Sequence, residues 1–207
     1  MGLVKQKSTH PARRSKPAPG LDCNHLGAAL EGADAGGRRQ AARDIARCPD
    51  AAKALIARLK REEDTAVREV ILNTLVRLKD ISIVDGLAEC LRSENSALRN
   101  ETIEAFKQLG HEVDPILESL LADPDPDLRI FVVNILESQR HSEAENWLIQ
   151  VIEEDSHLNV CATALELLCE VGSEASSDAL LRLKARFASE PYIQFAADLA
   201  LKRIREI

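Results

Sequence analysis

A five-residue element recurs along this chain at nearly constant spacing, and that recurrence limits the possible folds more than any other feature. Asp34-Ala-Gly-Gly-Arg38, Asp64-Thr-Ala-Val-Arg68, Asn95-Ser-Ala-Leu-Arg99 and Asp125-Pro-Asp-Leu-Arg129 each set an acid or amide four residues before an arginine. Asp155-Ser-His-Leu-Asn159 continues the series with Asn in the arginine slot. The leading residues stand at 34, 64, 95, 125 and 155, at intervals of 30, 31, 30 and 30. A fixed period of this size marks an array of like supersecondary units, each burying its apolar stripe against its neighbours.

Each unit reads as two helices. The first begins just after the Asp, where Val67, Ile71, Leu75 and Leu78 fall on one face, as do Leu98, Ile103, Phe106 and Leu109. The second is shorter and is marked by Leu pairs such as Leu55 with Leu59, Leu87 with Leu91 and Leu117 with Leu121. Asp114-Pro115, Asp125-Pro126 and Glu190-Pro191 place proline at a first helical position, where its missing N–H is no loss. Gly110 and Gly172 stand where helices should stop. The spacing predicts twelve helices in all: a lone second-type helix at about 22–32, five pairs as far as Ala188, and a lone first-type helix from Pro191. The helices at the two ends act as caps. No strand is expected, because 3% aromatic content leaves Ala, Leu, Ile and Val to pack helix on helix.

In the recurring element, Asp34, Asp64, Asn95 and Asp125 are placed to accept from free backbone N–H groups at a helix start. Arg38, Arg68, Arg99 and Arg129 are placed to tie each unit to the next, which makes the element a structural ladder. A phosphate-binding or catalytic row of arginines is the alternative, and it is disfavoured because each Arg has a local carboxylate or amide partner. With this period, this junction and these Ala/Leu-rich helices, residues from about Asp22 onward resemble the short HEAT repeats of phycobilisome-lyase-type proteins. The resemblance implies an all-α solenoid of stacked antiparallel helix pairs over 21–207, with the second helices lining its concave side. It also implies scaffold or adaptor roles, with chromophore-lyase subunits, a di-iron hydroxylase and DNA glycosylase relatives in the same class. Asn159 and Gln194 depart from the pattern by replacing its Arg, and Gly36-Gly37 stand where an apolar residue is usual.

The residues exclude most of that chemistry. A di-iron site needs four His-Glu pairs inside successive helices, whereas this chain has one, His111-Glu112, in a turn. The cysteines Cys23, Cys48, Cys90, Cys161 and Cys169 are scattered with no Cys-x-x-Cys pair, so they read as small buried apolar residues rather than metal ligands. A net charge of −7 argues against a phosphate-backbone partner. No catalytic residue, cofactor site or metal site is expected. No apolar run approaches the ~20 residues of a membrane span. Residues 1–20 lack the apolar centre of a signal peptide, and Gln6 breaks a myristoylation pattern at Gly2. The cytosol is the expected compartment.

The charge is unevenly distributed. Residues 1–20 carry +5 and no acid, and without periodicity they read as a disordered basic tail. Residues 21–110 carry −1, 111–155 carry −10, and 156–207 carry −1. The acidic segment holds Glu118, Glu145, Glu153 and Glu154 around Trp147, on second helices that have no basic residue. A solvated face would keep the chain soluble. A docking groove for a basic protein partner is the functional reading, with Trp147 as anchor. The sequence thus points to a protein-binding adaptor or scaffold, the alternative being an enzyme-associated maturation factor such as a chromophore-lyase-like subunit.

Overall fold

The computed structural model describes residues 22–80, 82–109, 113–139 and 143–206. Among these are twelve α-helices and no strand, the all-α repeat architecture that the periodicity predicts. Tertiary contacts gather the chain into two compact units divided between Leu78 and Lys79. The first holds α1 (Cys23–Leu30), α2 (Ala35–Asp44), α3 (Ala51–Leu59) and α4 (Thr65–Leu78). The second holds α5 (Ile83–Leu91), α6 (Ser96–Leu109), α7 (Asp114–Leu121), α8 (Pro126–Gln139), α9 (Ala144–Glu154), α10 (Leu158–Val171), α11 (Ser177–Arg186) and α12 (Pro191–Glu206). Short 3-10 turns at Ile45–Arg47 and Glu174–Ser176 bridge α2 to α3 and α10 to α11. The basic tail, Gly110 and His111-Glu112 lie outside the described residues.

The first-type helices carry their core at three positions, counted from the residue just before each helix. In α4 these are Val67, Ile71 and Leu75, in α8 Leu128, Val132 and Leu136, and in α10 Val160, Ala164 and Leu168, all of them fully buried. Spacings of four put such residues on one stripe, and stacking covers it. In the second unit α6, α8, α10 and α12 pack side by side, and α9 packs on α11. Gly172 ends α10 for want of room, since a Cβ there would stand 2.6 Å from the carbonyl oxygen of Leu168.

The recurring element has a consistent geometry. Asp34 accepts from the Gly37 N–H at 2.6 Å and Asp64 from the Val67 N–H at 3.0 Å, each satisfying a donor left over at a helix start. Asn95 and Asp125 do the same for Ala97 and Asp127. Each arginine reaches back with Nη1 to the carbonyl six residues earlier: Arg38 to Gly32, Arg68 to Glu62, Arg99 to Ser93 and Arg129 to Asp123. Those carbonyls follow the end of the preceding helix, where acceptors lack intrahelical donors. Arg38 and Arg129 also reach forward to a carboxylate. Arg38 grips Glu62 with Nε at 2.8 Å and Nη2 at 2.9 Å, and Arg129 grips Asp155 at 2.6 and 3.0 Å. The acceptor is thus not the next unit's capping Asp but the residue two before its cap. Glu62, Ser93, Asp123 and Asp155 all hold that place, each accepting the N–H of the capping residue.

The same geometry resets the register near the end of the chain. Asp155 aligns in sequence with the capping residues, yet α10 begins at Leu158 with His157 at its cap. The arginine slot therefore belongs to Cys161 rather than Asn159, and the Cys161 thiol donates to the carbonyl of Asp155, again six residues back. Two extra residues before α10 cause the shift. Arg186 of α11 takes over the vacated role, donating Nη1 to the Glu153 carbonyl at 2.6 Å and Nη2 to the Ile152 carbonyl at 2.7 Å. Arg186→Ala is expected to cost roughly 1–2 kcal/mol through carbonyls left without a donor, visible as a drop of several degrees in the thermal midpoint. Arg182→Ala removes only an exposed pair with Glu153 and should change stability by less than ~1 kcal/mol. Equal effects of the two would show that α11 is held by packing alone.

Candidate partner-binding groove

A groove of about 360 Å³ opens in the second unit between α7 and α9. Glu118 and Leu121 of α7 form one wall, and Trp147, Gln150 and Glu154 of α9 form the other. Trp147 and Glu154 are seven residues apart and therefore share a helix face, with Gln150 between them donating to the Glu154 carboxylate at 3.1 Å. Trp147 is half-buried, while Glu118 and Glu154 are exposed. The ladder supplies the floor. Arg129 lines the groove with its guanidinium turned to Asp155 and the Asp123 carbonyl. This ion pair raises the arginine's pKa, chiefly through the Asp155 hydrogen bonds.

The five acidic-segment residues singled out from sequence therefore divide. Glu118, Trp147 and Glu154 come together, and among the described residues neither carboxylate has a cationic partner. Glu145 and Glu153 face the following turn and α11 instead. Glu145 accepts from the Ser173 N–H at 2.6 Å and from the Ser173 and Ser176 hydroxyls at 2.9 and 2.5 Å. Burial pushes its carboxyl up, but the Ser176 hydroxyl and the Ser173 donors outweigh that and leave it below the usual carboxylate range. Glu153 pairs with Arg182. Glu145 holds the turn that enters α11, whereas Glu153 meets the middle of that helix. Glu62, Asp123, Asp155 and Arg186 are the participants that sequence reasoning missed. The polar residue two places before each cap was the available signal for the first three.

The expectation that all five cysteines are lone packing residues fails for two of them. Cys23 and Cys48 form a disulfide across 25 residues, because the 3-10 turn after α2 brings the second beside the start of α1. Cys90 and Cys161 are buried thiols and Cys169 is half-buried. Among the described residues no three His, Cys, Asp or Glu side chains converge as metal ligands. None of the described helices is long and apolar enough to cross a membrane.

The sequence pattern that defines HEAT repeats matches residues 24–107 and 113–202. The chain is similar to uncharacterized phycocyanin operon protein Z of Pseudanabaena tenuis (strain PCC 7409), with 23% identity over 155 residues covering 70% of this chain and 76% of that protein. Among solved structures it is similar to Mini spindles TOG3 of Drosophila melanogaster, with a TM-score of 0.51 and 16% identity, covering 87% of this chain and 93% of the other. That likeness speaks to the fold alone. It is also similar to the complex of CpcE and CpcF of phycocyanin lyase from Nostoc sp. PCC7120, with a TM-score of 0.37 and 16% identity over 97% and 100% of the two chains, too loose a match to argue from.

Proposed function

Because this chain belongs to the HEAT-repeat family, we propose that it is a protein-binding scaffold whose α7–α9 groove receives a basic segment of its partner. The observation that carries this reading is a groove lined by Trp147 and by Glu118 and Glu154, two carboxylates that have no cationic partner among the described residues. An indole face attracts a Lys or Arg head, and carboxylates lining the same groove add to that attraction. Leu121 and Val151 supply apolar surface for the stem of such a side chain. Repeat arrays of this kind need no reaction chemistry to act.

Trp147 is the single tryptophan, so its emission reports on the groove directly. Titration with a Lys/Arg-rich peptide is expected to shift that emission to saturation. The affinity should weaken as salt screens the carboxylates within a Debye length of ~8 Å at physiological ionic strength. Trp147→Ala should weaken binding by about tenfold or more, as central aromatic anchors do, with the circular dichroism spectrum unchanged. Emission that ignores the peptide, or binding that is indifferent to salt, would sink the proposal. A second reading, a maturation factor of the chromophore-lyase kind, is favoured by the identity shared with phycocyanin operon protein Z. Purification from the native source separates the two readings, since a pigmented species bound to the chain supports the second.

A further inference from the structure

The last helix exposes large apolar side chains where the earlier first-type helices expose none. At corresponding places α4 carries Ala66, Glu69 and Asn73, α6 Ala97, Asn100 and Glu104, α8 Asp127, Ile130 and Asn134, and α10 Asn159, Ala162 and Glu166, and none of these is an exposed large apolar residue. The corresponding row of α12 is Tyr192, Phe195 and Leu199, with 48%, 68% and 52% of their surfaces exposed. Spacings of three and four make this one continuous apolar stripe. It is not the surface that a further repeat would cover. That surface is marked in the second unit by the buried Ile103, Val133 and Leu165 of the earlier helices, and in α12 the equivalent residue is Asp198, exposed and paired with Lys184. The row that is small or polar where it is exposed elsewhere is thus large and apolar in α12, while the buried apolar place of the earlier helices holds Asp198 there.

Beside the stripe lies a second groove, about 130 Å³, between α8 and α10. Glu137, Glu166 and Glu170 line it, and all three are exposed. Glu166 joins the two features by accepting the Tyr192 hydroxyl, and that bond pushes the phenol up to about 12. Among the described residues Glu137 and Glu170 have no cationic partner. Tyr192 thus connects the apolar stripe of α12 to the acidic groove between α8 and α10. We propose that this face is a second docking surface, for an amphipathic helix of a partner protein that lays its apolar row on Tyr192, Phe195 and Leu199 and its Lys/Arg row over Glu137, Glu166 and Glu170. Helix-in-groove recognition reads such i, i+3, i+7 anchors. A second copy of this chain fits less well. The α12 of such a copy offers only Lys202 and Arg205 as exposed basic residues near its end, with Lys202 already paired to Glu206.

A displayed library of short helices, selected on the full chain and counter-selected on its Phe195→Glu variant, tests this. Phe195 is exposed, so the variant should keep its helical spectrum and thermal midpoint. The recovered peptides are expected to carry apolar residues at i, i+3 and i+7 beside a Lys/Arg row. As soluble peptides they should lose about tenfold or more in affinity on Phe195→Glu, several-fold on Glu137→Gln with Glu170→Gln, and nothing on Trp147→Ala. Peptides without a basic row, or no Phe195-dependent peptide at all, would overturn the proposal. So would sedimentation showing a dimer that Phe195→Glu dissolves, since the stripe would then be covered by a second copy. Binding lost on Trp147→Ala would assign the peptides to the α7–α9 groove instead.

Discussion

Glu62→Ala is expected to destabilise the first unit by roughly 3–5 kcal/mol, the cost of leaving a buried charge without its partner. The Glu62 side chain is 1% exposed and sits under two guanidiniums, with Arg38 at 2.8 Å and Arg58 at 2.7 Å. It also accepts the N–H of Asp64 at 3.0 Å, which fixes the turn into α4. Burial by itself pushes this carboxyl up, but Arg38, the Asp64 N–H and Arg58 overcome it and hold the group at about 2, below its ordinary value of 4.5. A carboxylate depressed on folding contributes stability that is fully present above its unfolded pKa and is lost as pH falls through the folded value. The first unit should therefore weaken progressively from about pH 4.5 toward pH 2, by an amount of order 3 kcal/mol from this group. Thermal melts of wild type and Glu62→Ala across that range are the measurement. The two midpoints should differ by about 10 °C or more near neutral pH and converge in acid. A constant gap down to pH 2 would show that Glu62 acts by packing rather than by charge.

The repeat architecture was legible because it is written locally. Capping residues, proline at first helical positions and a four-residue apolar spacing determine each helix from its own sequence, so the twelve helices and their alternation of types fall where the pattern puts them. The register of α10 was not. Asp155 resembles a cap, and only its geometry shows that it accepts from Arg129 while His157 opens α10. The same limit applies to the acidic segment. Position on a second helix was enough to group Glu118, Trp147 and Glu154, which meet across neighbouring units. The occupations of Glu145 and Glu153 depend on Ser173, Ser176 and Arg182, which belong to the following unit and enter through a turn whose course the period does not dictate. The apolar row of α12 was visible as residues, but its exposure is apparent only once the helices are packed.

Removing the Cys23–Cys48 bond is expected to cost about 3.5 kcal/mol, from the loop entropy that a cross-link over 25 residues takes from the unfolded chain. The effect should centre on α1, which has eight residues and buries only Leu30 among them. A helix that short does not persist alone in water. Its Asp22 cap and contacts with α2 position it, and the sulfur bridge ties its first residue to the turn after α2. In the protein denatured without reductant, a thiol reagent should count three cysteines (Cys90, Cys161 and Cys169), and after reduction all five. Reductant should then lower the thermal midpoint of wild type but not that of Cys48→Ser, which starts at the lower value. Five reactive thiols before reduction would remove the bond from the argument. The outcome also bears on the compartment that the sequence suggested. A reducing cytosol keeps such thiols apart, whereas an oxidising space closes the bridge, so the first unit would hold α1 firmly in one setting and loosely in the other.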